Sequence, residues 1–252
     1  MIKFNDTISS IIDKVVTQQR VSKNVIGVFL IGSVARGQAD KYSDVDFLVV
    51  QRHRSPDLRQ QLQIDGYPVE ILYNTIDEVE RYLLEEHGAL HRNTSGMLAD
   101  ARLLYQADDR AQELQTKALA NVVSTTRFTE TEMLMHRYSL VDFLTDAHRE
   151  ADAHNIIAFH LNAQLLIQNA IEVLLKNHGA YLQQPNRLVT VLQDIDSAFS
   201  QLLSEFYGAR DLRAADAGLA KIVLHVTRQL GGNLPGAWHV ARGAGDELAA
   251  AA

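Results

Sequence analysis

Ile8, Ile11, Ile12, Val15 and Val16 recur at spacings of one, three and four, which predicts an amphipathic helix over residues 6–20 opening at Asn5 or Asp6. The pattern then changes to continuous apolar runs. Val25 to Ile31 and Asp44 to Val50 are short and rich in β-branched residues, and the second is apolar enough for a central strand covered on both faces. Gln60 to Ile64 and Tyr67 to Tyr73 flank Asp65-Gly66, a dipeptide suited to the positive φ values of a type I′ hairpin. These runs predict a mixed sheet of about four strands. Helices are expected over Thr75 to Glu86, where Thr75 and Glu78 stand in capping-box register, and over Asp109 to Val123.

Beyond Ser124-Thr125-Thr126 every long segment has helical periodicity. Ile156, Phe159, Ala163, Leu166, Ala170 and Val173 form one stripe that ends at Gly179, and Leu188, Val191, Ile195, Phe199, Leu202 and Phe206 repeat the pattern. With helices near 130–149 and 210–230 this predicts a bundle. The expected division is a sheet-containing domain over 1–124, a helical domain over 125–230, and a flexible Gly- and Ala-rich tail over 231–252.

Composition removes several classes of function. With no cysteine there is no disulfide framework, thiolate metal site or thiol nucleophile, so His, Asp and Glu are the available metal ligands. No apolar run approaches the length of a membrane span, and the first residues lack an export signal, so the expected address is cytoplasmic with no membrane partner. A formal charge of −7 argues against nucleic acid as a partner.

The segment richest in chemistry is Ile31-Gly32-Ser33-Val34-Ala35-Arg36-Gly37, followed after a spacer by Ser43-Asp44-Val45-Asp46. Residues i and i+2 of a strand share a face, so Asp44 and Asp46 present two carboxylates about 7 Å apart at the backbone. Such a pair repels unless a cation joins it, and hard oxygen ligands suit Mg²⁺ completed by substrate phosphates. Gly32 permits a tight turn, and Ser33 offers a hydroxyl toward phosphate. Rival motifs are missing: there is no Gly-Lys-Ser/Thr, no Gly-x-Gly-x-x-Gly dinucleotide fingerprint, and no calcium loop over Asp40 to Gln51. His87 and His91 have helical-face spacing but no third ligand to make a zinc site.

Ile31-Gly32-Ser33 and Asp44-Val45-Asp46, separated by ten residues, resemble the signature of the nucleotidyltransferase superfamily with a DNA polymerase β type of palm. The resemblance covers about residues 24–75. It implies an α/β (α+β) palm with a mixed sheet followed by an all-α bundle, the second half resembling in architecture the substrate domain of bacterial aminoglycoside and lincosamide nucleotidyltransferases. It further implies a third carboxylate on a neighbouring strand, matched by Glu70. Asp44, Asp46 and Glu70 would be the catalytic, metal-holding residues, and Gly32, Ser33, Arg36 and Ser43 would face the nucleotide.

On alternation Glu70 lies opposite Val69 and Ile71. Its role is third ligand or base for the acceptor hydroxyl; the alternative base is a bundle residue such as Glu172. The implied reaction is Mg²⁺-dependent transfer of a nucleoside monophosphate, AMP from ATP, to a small-molecule hydroxyl, such as that of an antibiotic, in a cleft between the two domains. A cationic acceptor would suit an acidic protein. A homodimer is compatible with these features. The alternative is a regulator of the antitoxin type that adds AMP to a protein, although such proteins are typically a bare palm.

Overall fold

A computed structural model describes residues 6–125 and 127–240. The chain divides into two compact units, Met1–Thr126 and Arg127–Ala252.

In the first unit, helix α1 (Asp6–Arg20) precedes strand β1 (Val25–Ile31), a single helical turn α2 (Gly32–Arg36) and strand β2 (Val45–Gln51). The hairpin of β3 (Arg59–Ile64) and β4 (Tyr67–Thr75) follows. Asp65 and Gly66 both hold positive φ, 52° and 82°, as a type I′ turn requires. Then come α3 (Ile76–Glu85), α4 (Asn93–Ala99), β5 (Arg102–Gln106) and α5 (Arg110–Val122). The Thr75–Glu78 capping box is present at the start of α3.

The strands form one mixed sheet in the order β3-β4-β2-β1-β5, so it has five strands rather than four. β2 is parallel to β4, while β1 is antiparallel to both β2 and β5. Each face is covered. Val28, Leu30, Phe47, Val49, Val69 and Ile71 pack with Ile11 and Val15 of α1, whereas Leu48 and Val50 join Val79, Leu83, Leu98 and Leu114 of α3, α4 and α5. β2 is buried along its length except at Asp46, the one half-buried position in the strand.

The second unit is helical: α6 (Glu130–Asp152), α7 (Ile156–Asn177), α8 (Pro185–Ile195), α9 (Ser197–Tyr207) and α10 (Leu212–Gln229). α6 and α7 run antiparallel, tied by Lys176 to Glu132 and by His136 to Asn169. Phe159, Ala163, Leu166, Ala170 and Val173 form the buried stripe, but Ile156 at its start is exposed. The expected single helix over 188–206 is broken at Asp196, whose non-helical backbone ends α8 and whose carboxylate caps α9 by accepting from the Phe199 N–H. The same carboxylate accepts from His225 and Gln229 of α10. Burial opposes ionisation of Asp196, but these hydrogen bonds outweigh it and hold the carboxyl below its ordinary value.

Asp196→Ala should therefore cost about 1–2 kcal/mol through the lost cap and the orphaned His225. Asp196→Asn, which keeps a good cap, should cost less. Urea unfolding followed by Trp238, the chain's single tryptophan, reads the difference, and equal stability of wild type and Asp196→Ala would refute the assignment. Because the folded pKa is lowered, this contribution is present above the ordinary Asp range and fades as pH falls through it. Of the expected tail, residues 241–252 lie outside the described residues.

Candidate active site

Parallel pairing of β2 with β4 sets the geometry of the site. Asp46 is in register with Glu70 and Ile31 is in register with Asp46, so the end of β1 and two carboxylates meet at one level of the sheet. Asp44, two residues before Asp46, adds a third carboxylate on the same face. One oxygen from each of Asp44, Asp46 and Glu70 lies within 4.8 Å of the others, the one such cluster of potential metal ligands among the described residues.

Gly32 is required at this level twice over. Its φ of 72° is unfavourable to L side chains, and a Cβ there would stand 2.2 Å from Asp46 Oδ2. Asp46 packs against bare backbone. The α2 turn that begins here carries Ser33 in its first turn and Arg36 in its last, and closes with Gly37 N–H to Val34 O and Gln38 N–H to Ser33 O.

Burial pushes the Asp46 carboxyl up to about 6, and the charge of Asp44 and a hydrogen bond with it push the same way, against a smaller pull from Arg36 and Arg59. Three converging carboxylate oxygens and a glycine that leaves room beside them fit a hard divalent cation better than they fit one another.

The other expected residues divide. Arg36 bonds to Gln38 Oε1 and lies 3.9 Å from Asp100, close enough to bias Asp46. The Ser43 hydroxyl is engaged within its own loop, donating to Asp40 Oδ1 and accepting from the Asp40 N–H. Glu172, on α7 of the second unit, accepts a hydrogen bond from Gln168. His87 and His91 both fall beyond the end of α3, and His87 Nδ1 meets Asn121 rather than a ligand set.

Val69, Ile71 and Tyr73 point to the α1 side and Glu70 to the other, as alternation predicts, and Arg59 of β3 donates from Nε to the Glu70 carboxylate. Arg59 is the residue that the sequence pattern missed. A two-residue turn at Asp65-Gly66 fixes the hairpin register, which pairs Arg59 with Leu72 and Gln61 with Glu70, so the diagonal neighbour of Glu70 could have been counted from the turn had the strand been started one residue earlier. Beside the trio opens a depression of about 260 Å³, lined by Asp44, Gln61, Gln63 and Glu70 among others.

Residues 8–115 match the family described as the nucleotidyltransferase domain. The first unit is a nucleotidyltransferase domain. Its chemistry is nucleotidyl transfer, and the chain is a transferase. The fold of a nucleotidyltransferase domain followed by a helical region accounts for all the described elements. No curated protein sequence matches the chain. Among solved structures it is similar to a nucleotidyltransferase-like protein from Exiguobacterium sibiricum, at 12% identity and a TM-score of 0.49, over 86% of this chain and 76% of that one. Among the described residues no helix is long and apolar enough to cross a membrane.

Proposed function

We propose that the chain moves a nucleoside monophosphate, AMP from ATP, to a hydroxyl of a small molecule, with Mg²⁺ held by Asp44, Asp46 and Glu70. The observation that carries this reading is the convergence of the three carboxylates at the level of the Gly32-Ser33 turn. A bound metal would neutralise charge on the triphosphate and lower the pKa of the attacking hydroxyl.

The chain's own residues do the rest. Ser33 and the backbone of the turn meet the outer phosphates, and Arg36 adds a cation on that side. The depression beside Asp44 and Glu70 admits the acceptor group. The acceptor hydroxyl gives up its proton to a carboxylate of the site, its oxygen bonds to the α-phosphorus as the bond to the bridging oxygen breaks, and pyrophosphate leaves. Two carboxylates facing this depression favour an acceptor that is neutral or cationic, such as a polyhydroxylated amine, over an anionic one.

The test is mass spectrometry of a panel of hydroxylated metabolites and antibiotics incubated with the protein, ATP and Mg²⁺. The expected result is the added mass of AMP on an acceptor, with loss of the product in EDTA. Full transfer in EDTA would overturn the metal, and AMP found only on proteins would overturn the small-molecule acceptor.

A further inference from the structure

Of the three carboxylates, Glu70 alone carries a fixed cation. The Arg59 Nε donates to Glu70 Oε1, and the pair is unequal in exposure, with 13% of the Glu70 side chain accessible and 59% of that of Arg59. Arg59 stands on β3, the edge strand, diagonally across from Glu70. Its stem is therefore held by the sheet while its head reaches in from solvent. A guanidinium does not lose its charge at any physiological pH, so this cation leaves only by moving.

Metal and guanidinium seek the same carboxylate. A divalent ion that takes Asp44, Asp46 and Glu70 together competes with Arg59 for the one negative charge of Glu70, and a partly buried carboxylate is costly to leave without a counter-charge. The mostly exposed Arg59 head can swing back to water at little cost, whereas Glu70 cannot follow it. We propose that Arg59 is a built-in counter-ion of the metal site, holding Glu70 in place while no metal is present and displaced when a divalent cation enters. This rests on the reading of Glu70 as a metal ligand. Arg59 acts through Glu70 and is a positioning residue. Its consequence is that free metal binds less tightly than the carboxylate trio alone would allow.

The test uses Mn²⁺ binding to the full chain without nucleotide, read from the electron paramagnetic resonance of the free ion, in wild type, Arg59→Gln, Glu70→Gln and the double variant. Arg59→Gln should tighten Mn²⁺ binding about fivefold, and Arg59→Lys, which keeps the charge but not the Nε contact, should fall between it and wild type. In the Glu70→Gln background, itself weaker than wild type, Arg59→Gln should gain much less, only its weaker pull on Asp46 being removed. An equal gain in both backgrounds would show Arg59 acting only as a distant charge, and no gain in the wild-type background would show no competition; either overturns the proposal. If Glu70→Gln alone leaves Mn²⁺ binding unchanged, it is the ligand role of Glu70 that fails, a result separable from the other two.

Discussion

Asp46→Asn should abolish nucleotidyl transfer and, in the same protein, raise stability without metal at neutral pH. The loss of transfer would follow from removing the central carboxylate of the proposed metal site, at a cost of several kcal/mol of transition-state stabilisation, or about a thousandfold in turnover. The gain follows from the raised pKa. Asp46 goes from an ordinary 3.8 to about 6 on folding, so the folded chain binds the proton more tightly than the unfolded one. Stability from this group is complete below the unfolded value and is lost as pH rises through about 6. At neutral pH the wild type therefore carries the full penalty of an ionised, half-buried Asp46, which the neutral amide does not. The shift taken whole corresponds to about 3 kcal/mol, and solvent screening of a group this accessible reduces it to about 1 kcal/mol, or about 2–4 °C in the melting temperature. The advantage should vanish near pH 4, where both side chains are neutral. Thermal melts in EDTA across this range, beside turnover with ATP and Mg²⁺, check both halves. Wild-type turnover would remove Asp46 from the chemistry, and a variant less stable at neutral pH than wild type would contradict the account of its electrostatics.

Gly32→Ala should be nearly as damaging to transfer, by a different route. The new methyl would meet Asp46 Oδ2 at 2.2 Å on a backbone with φ of 72°, so either the turn or the carboxylate has to move. We expect destabilisation of about 1–3 kcal/mol and a fall in turnover of about a hundredfold, since displacement of a ligand by an ångström is enough for that. Gly66→Ala is the control. Gly66 has an equally unfavourable φ of 82°, yet nothing lies within 4 Å of its added Cβ, so this variant should lose stability and keep turnover. Parallel losses of turnover in the two variants would mean that Gly32 matters only for its backbone.

Much of this was legible in the chain because local chemistry and long-range packing agree there. Asp65-Gly66 set a hairpin, Thr75 and Glu78 set a cap, and the even burial of Val25 to Ile31 was visible as an unbroken apolar run. Two elements were hidden. β5 is a five-residue edge strand with exposed ends, too short and too mixed to show alternation, and α4 offers only seven residues around Gly96. The break at Asp196 was masked because apolar spacing continues across it, although Asp followed by Ser is itself a helix-start signal. At the site, Asp44 and Asp46 could be placed on one face from spacing alone. The approach of Glu70 needed the parallel pairing of β2 with β4, which no turn announces. Arg59 needed the hairpin register as well.

That parallel pairing has a consequence for how the protein reaches its working state. β2 and β4 cannot zip together from a tight turn, since β3 and the loop before it lie between them, so the ligands meet only after a long-range closure, the slow kind of step in folding. A slip of one residue would turn Glu70 toward α1 and bring Val69 or Ile71 beside Asp46. Carboxylates that repel one another cannot guard against this error. Val69, Ile71 and Tyr73 can, because each is buried against the α1 layer only in the observed register. Three side chains that touch no nucleotide thus decide whether the folded population is competent or silent, and damage to them would appear as a smaller active fraction with unaltered chemistry in the molecules that remain.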